Sequence, residues 1–335
     1  MKRSLLIFLV AFCFAVSSGT AQNSKKDFFG MWTIAIDGGS VGWLHVNDNK
    51  GYLDAELLWQ GGSVLPVDNV YFEDDNTLVV TRSQERPAVR DDADGRKFVV
   101  AQTFRFSRNG DKLKGVALSP SRDRMSVNTT GFEAWKLPPV PPAPDLSKVK
   151  YGKPVQLFNG KNLDGWRLIN PNQTNGFKVV DGVLVNDPVQ VEGQRVSYGN
   201  LRTDAEFEDF NLKLEVNIPE HSNSGVYLRG MYEIQVFDSY EKPLDSHNMG
   251  ALYSRITPSV NAEKPAAQWQ TLDITLCDRH VTVVLNGTTI IDNQPVYGPT
   301  GGAIIADVFQ PGPIYLQGDH GKVSYRNMVL TPVVK

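Results

Sequence analysis

The sequence predicts an all-β protein made of two successive β-domains. Three observations carry this reading. Short runs with apolar residues at alternate positions recur at regular spacing, each bounded by turn residues. No segment sustains a helical period of apolar residues. The 335-residue chain also holds 29 glycines and 20 prolines, enough to supply many tight turns.

Taken in order, the chain opens with Lys2 and Arg3, an apolar run from Leu5 to Val16, and the small residues of SSGTAQ. That is the three-part pattern of a secretory signal, so residues 1–21 are expected to be removed after Ala21 and the protein to be periplasmic or secreted. The run is short for a membrane-spanning helix, and no other segment is apolar enough to be one. Cys13 follows the bulky Phe12, where a lipoprotein signal takes a small residue. After cleavage only Cys277 remains, so no intramolecular disulfide is expected and the domains must rely on their cores. Cys277 lies in TLDITLC and reads as a small buried hydrophobe.

Residues 27–137 read as a small barrel or sandwich. FGMWTIAIDGG is an alternating strand ending in a Gly-Gly turn, followed by VGWLHV, GYLDAELLW, NTLVVTRS, FVVAQTFRFS, DKLKGVALS and FEAWKL. Gly30-Met31-Trp32 resembles the opening of lipocalin-like barrels. Trp43 and Trp59 are read as core or rim, and no catalytic cluster is evident. Residues 138–154 are proline-rich and predict an extended, semi-rigid linker.

Residues 155–333 repeat the strand pattern with FKVVDGVLV, FNLKLEVNI, SGVYLRG, YEIQVFDS, QTLDITLC, HVTVVLNGTTI, GPIYLQG and KVSYRNMVL. Asn286-Gly287 marks a hairpin, because both residues tolerate positive φ. The prediction is a two-sheet antiparallel jelly roll. Net charge is −3 with 21% charged residues and no basic stripe, which argues against nucleic acid as a partner.

The stretch Asn223–Tyr240, NSGVYLRGMYEIQVFDSY, carries the chemistry. Alternation places Tyr227 and Arg229 on one face of the first strand, and Glu233 and Gln235 on one face of the second. A guanidinium, a carboxylate and an amide among aromatics suit the floor of a polar groove. No HExxH motif or Cys/His pair with ligand spacing is present, and Asp204, Glu206, Glu208 and Asp209 read as a solvated acidic turn. No metal or cofactor is therefore expected.

The ordered succession LFNGKNLDGWR, FKVVDGVLV, FNLKLEVNI, NSGVYLRG, YEIQVFD, WQTLDITL, VLNG and GPIYLQGDHGKVSYRN resembles the 3-keto-disaccharide hydrolase domain family. The resemblance covers nearly all of the second domain and none of the first. It implies a concanavalin-like jelly roll, a carbohydrate site on the concave sheet, and cleavage of sugars oxidised to a ketone at C3. It also implies roles. Glu233 is the expected base, with Asp238 a second candidate that could equally cap a turn. His320 and His247 are candidate acids. Arg229, Gln235, Tyr227, Gln317 and Tyr253 are expected to bind substrate, with Arg229 paired to Glu233 or facing the developing oxyanion. A non-catalytic carbohydrate-binding module and a conventional glycoside hydrolase are the alternatives on the same fold.

Overall fold

The structure, a computed structural model, describes residues 25–87 and 97–334. The expected signal segment lies outside the described residues. Among those described, no helix is long and apolar enough to cross a membrane.

The protein is all-β. Its first half forms one nine-stranded antiparallel sheet. The strands follow one another as a meander, and the first, Gly30–Ile36, also pairs with the last, Val127–Lys136. The ends of the sheet are therefore Leu65–Pro66 and Asn69–Asp74, which are neighbours in sequence. The sheet rolls around one core that includes Trp32, Ile34, Leu44, Leu57, Trp59, Phe104, Phe106 and Phe132. Edge-to-face rings fix its centre: Trp59 lies 4.9 Å from Phe104 and 5.5 Å from Phe132, centroid to centroid. The two end strands were not foreseen, since one is two residues long and the other is largely exposed.

The second half is a two-sheet antiparallel sandwich. The larger, nine-stranded sheet is built around Phe210–Asn217 and Val323–Val334. The smaller sheet has five strands in the order Trp166–Leu168, Leu201–Thr203, Tyr315–Leu316, Asn223–Leu228, Tyr232–Phe237. Val226, Leu228, Ile234, Val236 and Leu316 point into the sandwich and are fully buried with Leu212, Leu214, Ile274 and Val283. Period-two alternation then turns the intervening side chains of the small sheet outward, away from this core.

The two halves pack closely. Trp43 and Leu58 of the first belong to the core cluster of the second. Trp43 Nε1 donates to Tyr297 O at 3.0 Å, the Arg255 guanidinium stacks 4.4 Å from the indole ring, and Thr33 Oγ1 donates to Ala306 O at 2.8 Å. The proline-rich segment between them is tied down as well. Arg279 Nη1 donates to Pro138 O at 3.1 Å, and Asn293 Nδ2 donates to Pro144 O at 2.9 Å.

Candidate functional site

The outward face of the small sheet is organised in rows. Tyr227 pairs with Glu233 on one side and Tyr315 on the other. One pleat away, Gly225 pairs with Gln235, and its carbonyl accepts from Gln317 N at 3.0 Å. Asn223 follows on the same face two residues before Gly225. Around these rows a cavity of about 290 Å³ is lined by Asn200, Asn223, Tyr227, Glu233, Gln235, Tyr253, Tyr315, Gln317, Asp319 and His320, with Gly61, Gly62, Gly301 and Gly302.

Gly225 makes the floor possible. A Cβ there would lie 2.3 Å from Glu233 Oε1 and 2.9 Å from its Cδ, so the Glu233 side chain lies across bare backbone. Gly302 makes a similar allowance for the neighbouring tyrosine. It has a positive φ of 81°, and a Cβ would meet the Tyr227 hydroxyl at 2.6 Å.

Glu233 is 3% exposed. Burial pushes its carboxyl up to about 8, against the opposing effects of the Tyr227 hydrogen bond and the His320 charge. The local hydrogen bonds agree with a neutral acid. Tyr227 Oη lies 2.8 Å from Glu233 Oε2 and 2.7 Å from Gly301 O. A phenol has one proton to give. If Glu233 is protonated, it donates to Tyr227 Oη and Tyr227 donates to Gly301 O, satisfying all three oxygens. If Glu233 ionises, the single phenolic proton must serve two acceptors. The Tyr227 phenol is itself pushed far above its usual value by burial and by the Tyr315 ring beside it. The two rings stack at 3.8 Å with 13° between planes, and Tyr315 Oη donates to Gly302 O at 2.6 Å.

His320 supplies the second titratable group. Its Nδ1 is 2.8 Å from Asp319 Oδ1. That bond raises the imidazole above its usual value, burial opposes the rise, and the Asp319 and Glu233 charges add to it. For Asp319, burial favours the neutral acid, but the bond and charge of His320 outweigh it and hold the carboxyl low. The pair is a hydrogen-bonded histidine–carboxylate dyad with its outer edge open to solvent, the two side chains 47% and 44% exposed.

The remaining floor is rich in acceptors. The amide oxygens of Asn223, Gln235 and Gln317 are buried and without a hydrogen-bond partner. Buried acceptors left unmatched cost free energy, so they mark where donors from a ligand fit. Asn200 is oriented the other way: its Oδ1 accepts from Gly318 N at 2.8 Å, which leaves the amide N–H₂ free to donate.

Of the residues singled out from sequence, Tyr227, Glu233, Gln235, Tyr253, Gln317 and His320 meet in this cavity, and three do not. Arg229 occupies the turn at φ 55°, which breaks the alternation that placed it beside Tyr227. Its Nη2 donates to Val308 O at 2.8 Å and also to Gln310 O, and no ion pair with Glu233 forms. Asp238 is a cap: Oδ2 accepts from His221 N at 2.9 Å. His247 stands at the rim, edge-on to Tyr253 at 4.9 Å and bonded to Asp245 and Ser63. Asn200, Asn223, Tyr315 and Asp319 were missed. Asn223 was recoverable, since alternation through Gly225 and Tyr227 puts it on the same face. Asp204 and Glu206 of the acidic turn are paired with Arg167 and Arg202, away from the cavity.

No curated protein matches the chain. Among solved structures, a Parabacteroides distasonis protein assigned as a glycosyl hydrolase is 27% identical, covering 58% of this chain and 92% of its own, with a TM-score of 0.43. A second from that organism, described in the same way, is 21% identical, covering 54% and 94%, with a TM-score of 0.43. A Bacillus licheniformis β-glucanase is 13% identical, covering 55% and 97%, with a TM-score of 0.37. The family model of the 3-keto-alpha-glucoside-1,2-lyase-like domain matches residues 153–331, which includes the whole small sheet and every cavity-lining residue except Gly61 and Gly62. The match spans more than half of the chain, which thus belongs to the 3-keto-alpha-glucoside-1,2-lyase-like family.

Proposed function

We propose that this protein is an exported enzyme that cleaves 3-keto-glycosides by elimination, followed by addition of water. The observation that carries this reading is the make-up of the acid–base set. The cavity holds one buried, unpaired carboxyl, Glu233, beside a histidine whose carboxylate partner is already engaged. A conventional glycosidase places two working carboxyl groups about the scissile bond. Here the second carboxylate, Asp319, is committed to His320.

The chemistry follows from the ketone. A C3 carbonyl acidifies the hydrogen on C2. Glu233, as the carboxylate, takes that proton, and a base with a value near 8 is far better matched to a carbon acid than an ordinary carboxylate. The C2–H electron pair moves into an enediolate, then forms the C1–C2 double bond and expels the aglycone oxygen from C1. The His320 imidazolium protonates that oxygen as it leaves. Amide N–H groups of Asn200, Gln235 and Gln317 stabilise the enediolate, a task the sequence suggested for Arg229. Water then adds its hydroxyl to C1 and a proton to C2. The unpartnered amide oxygens of Asn223, Gln235 and Gln317 accept from sugar hydroxyls.

In D₂O, this route delivers deuterium to C2 of the released sugar. Mass spectrometry is expected to show one added deuterium at that carbon beyond an enzyme-free control, or the unsaturated sugar if hydration lags. Cleavage that leaves C2 at the control level would rule out elimination.

Gly225→Ala tests the floor. The new methyl must push the Glu233 carboxylate aside, and an ångström of misplacement costs about 10²-fold in rate. Turnover of a 3-keto-glucoside is expected to fall by roughly that factor while the protein still melts cooperatively. Unchanged kcat would show that Glu233 does not work from this position.

A further inference from the structure

We propose that the N-terminal half supplies a wall of the sugar cavity, so that a sugar chain cannot run on past Glu233 on that side. Internal residues of a polysaccharide are excluded. This rests on the reading of the site given above and gives the first half a part in that site.

The wall is the loop Gln60–Ser63, which leaves the strand Tyr52–Trp59 and reaches over to the second half. Gln60 O accepts from Gly302 N at 3.1 Å. Gly301 is pressed against Gly62 so closely that a Cβ would lie 2.2 Å from the Gly62 carbonyl oxygen. The two backbones meet with no room for a side chain, and Gly61, Gly62, Gly301 and Gly302 all line the cavity. At about 290 Å³ the cavity sits at the small end of ligand sites, which run from roughly 300 to 1,000 Å³. A polysaccharide threaded past Glu233 needs a groove open at both ends, and here Gly61 and Gly62 stand on the cavity wall.

The far end of the loop is held by a clasp. Ser63 Oγ lies 2.8 Å from His247 Nε2, His247 Nδ1 is bonded to Asp245, and Val64 N donates to Ser254 Oγ at 2.9 Å. The Asp–His–Ser connectivity is that of a nucleophilic triad. The N–H after such a serine would have to face an oxyanion. That of Val64 is taken by Ser254, and the Asp245 side chain is 59% exposed. The chain of bonds therefore serves to fix the wall.

Gly61 offers a clean probe. A Cβ there meets nothing within 4 Å and the residue needs no positive φ, so Gly61→Phe is compatible with the fold. Binding is measured by calorimetry on the full chain carrying Glu233→Gln, which prevents turnover. The ligands are a 3-keto-disaccharide oxidised in its terminal residue and a hexasaccharide oxidised at an internal one. The disaccharide is expected to bind at least tenfold more tightly than the hexasaccharide, and adding Gly61→Phe to weaken it at least tenfold. Ser63→Ala, which frees the clasp, is expected to narrow the gap between the two ligands. Equal binding of both ligands, no response to Gly61→Phe, or no binding at all would overturn the proposal. If the disaccharide binds with this pattern but the native protein does not cleave it, the catalytic reading fails while the closed wall stands.

Discussion

Glu233→Gln is expected to lower kcat on a 3-keto-glucoside by about 10²-fold or more, the usual contribution of a positioned general base. The fold should be unaffected, for a reason visible in the hydrogen bonds. The glutamine N–H₂ donates to Tyr227 Oη as a protonated Glu233 does, and Tyr227 still donates to Gly301 O. The pH profile gives an independent check. Glu233 works as the carboxylate, and burial raises its carboxyl to about 8, so most of the protein holds the inactive acid at neutral pH. The rate should therefore show a rising limb near 8 from Glu233, and loss of the His320 proton, which Asp319 holds above its ordinary range, should lower it. In Glu233→Gln the rising limb near 8 should be absent from the residual activity. A variant with near-native kcat and the same rising limb would transfer proton abstraction to another group, with His320 next in line.

Much of this site was legible because a strand is periodic. Once Asn223–Leu228 and Tyr232–Phe237 are read as strands, a period of two puts Tyr227, Glu233 and Gln235 on a single face. The same rule failed at Arg229, where the backbone enters the left-handed region and the side chain swings to Val308 and Gln310. It also said nothing of Asp238, whose role depends on the backbone of His221, seventeen residues away in sequence. The proton arrangement around Tyr227 was hidden for a different reason. It needs Gly301 O, from a loop more than seventy residues on, to arrive within 2.7 Å. The least legible part is the contribution of Gln60–Ser63. A glycine-rich loop after a strand reads as an ordinary turn, and only tertiary packing shows that it abuts Gly301 and lines the cavity. Cores, by contrast, were written plainly in the alternation, although Trp43 and Leu58 serve the second core rather than the first.

The central claim is that this cavity removes a proton made acidic by a neighbouring ketone, and one comparison tests it most directly. A 3-keto-glucoside and its unoxidised parent are incubated with the full-length protein under identical conditions, and the released aglycone is followed with time. The parent has no carbonyl beside C2, so Glu233 has no acidic hydrogen to take and an elimination cannot begin. The account predicts steady release from the 3-keto-glucoside and none above background from the parent. Equal release from both would contradict it and place the chemistry with ordinary glycosidases. Binding of both with release from neither would make the domain a sugar-binding module.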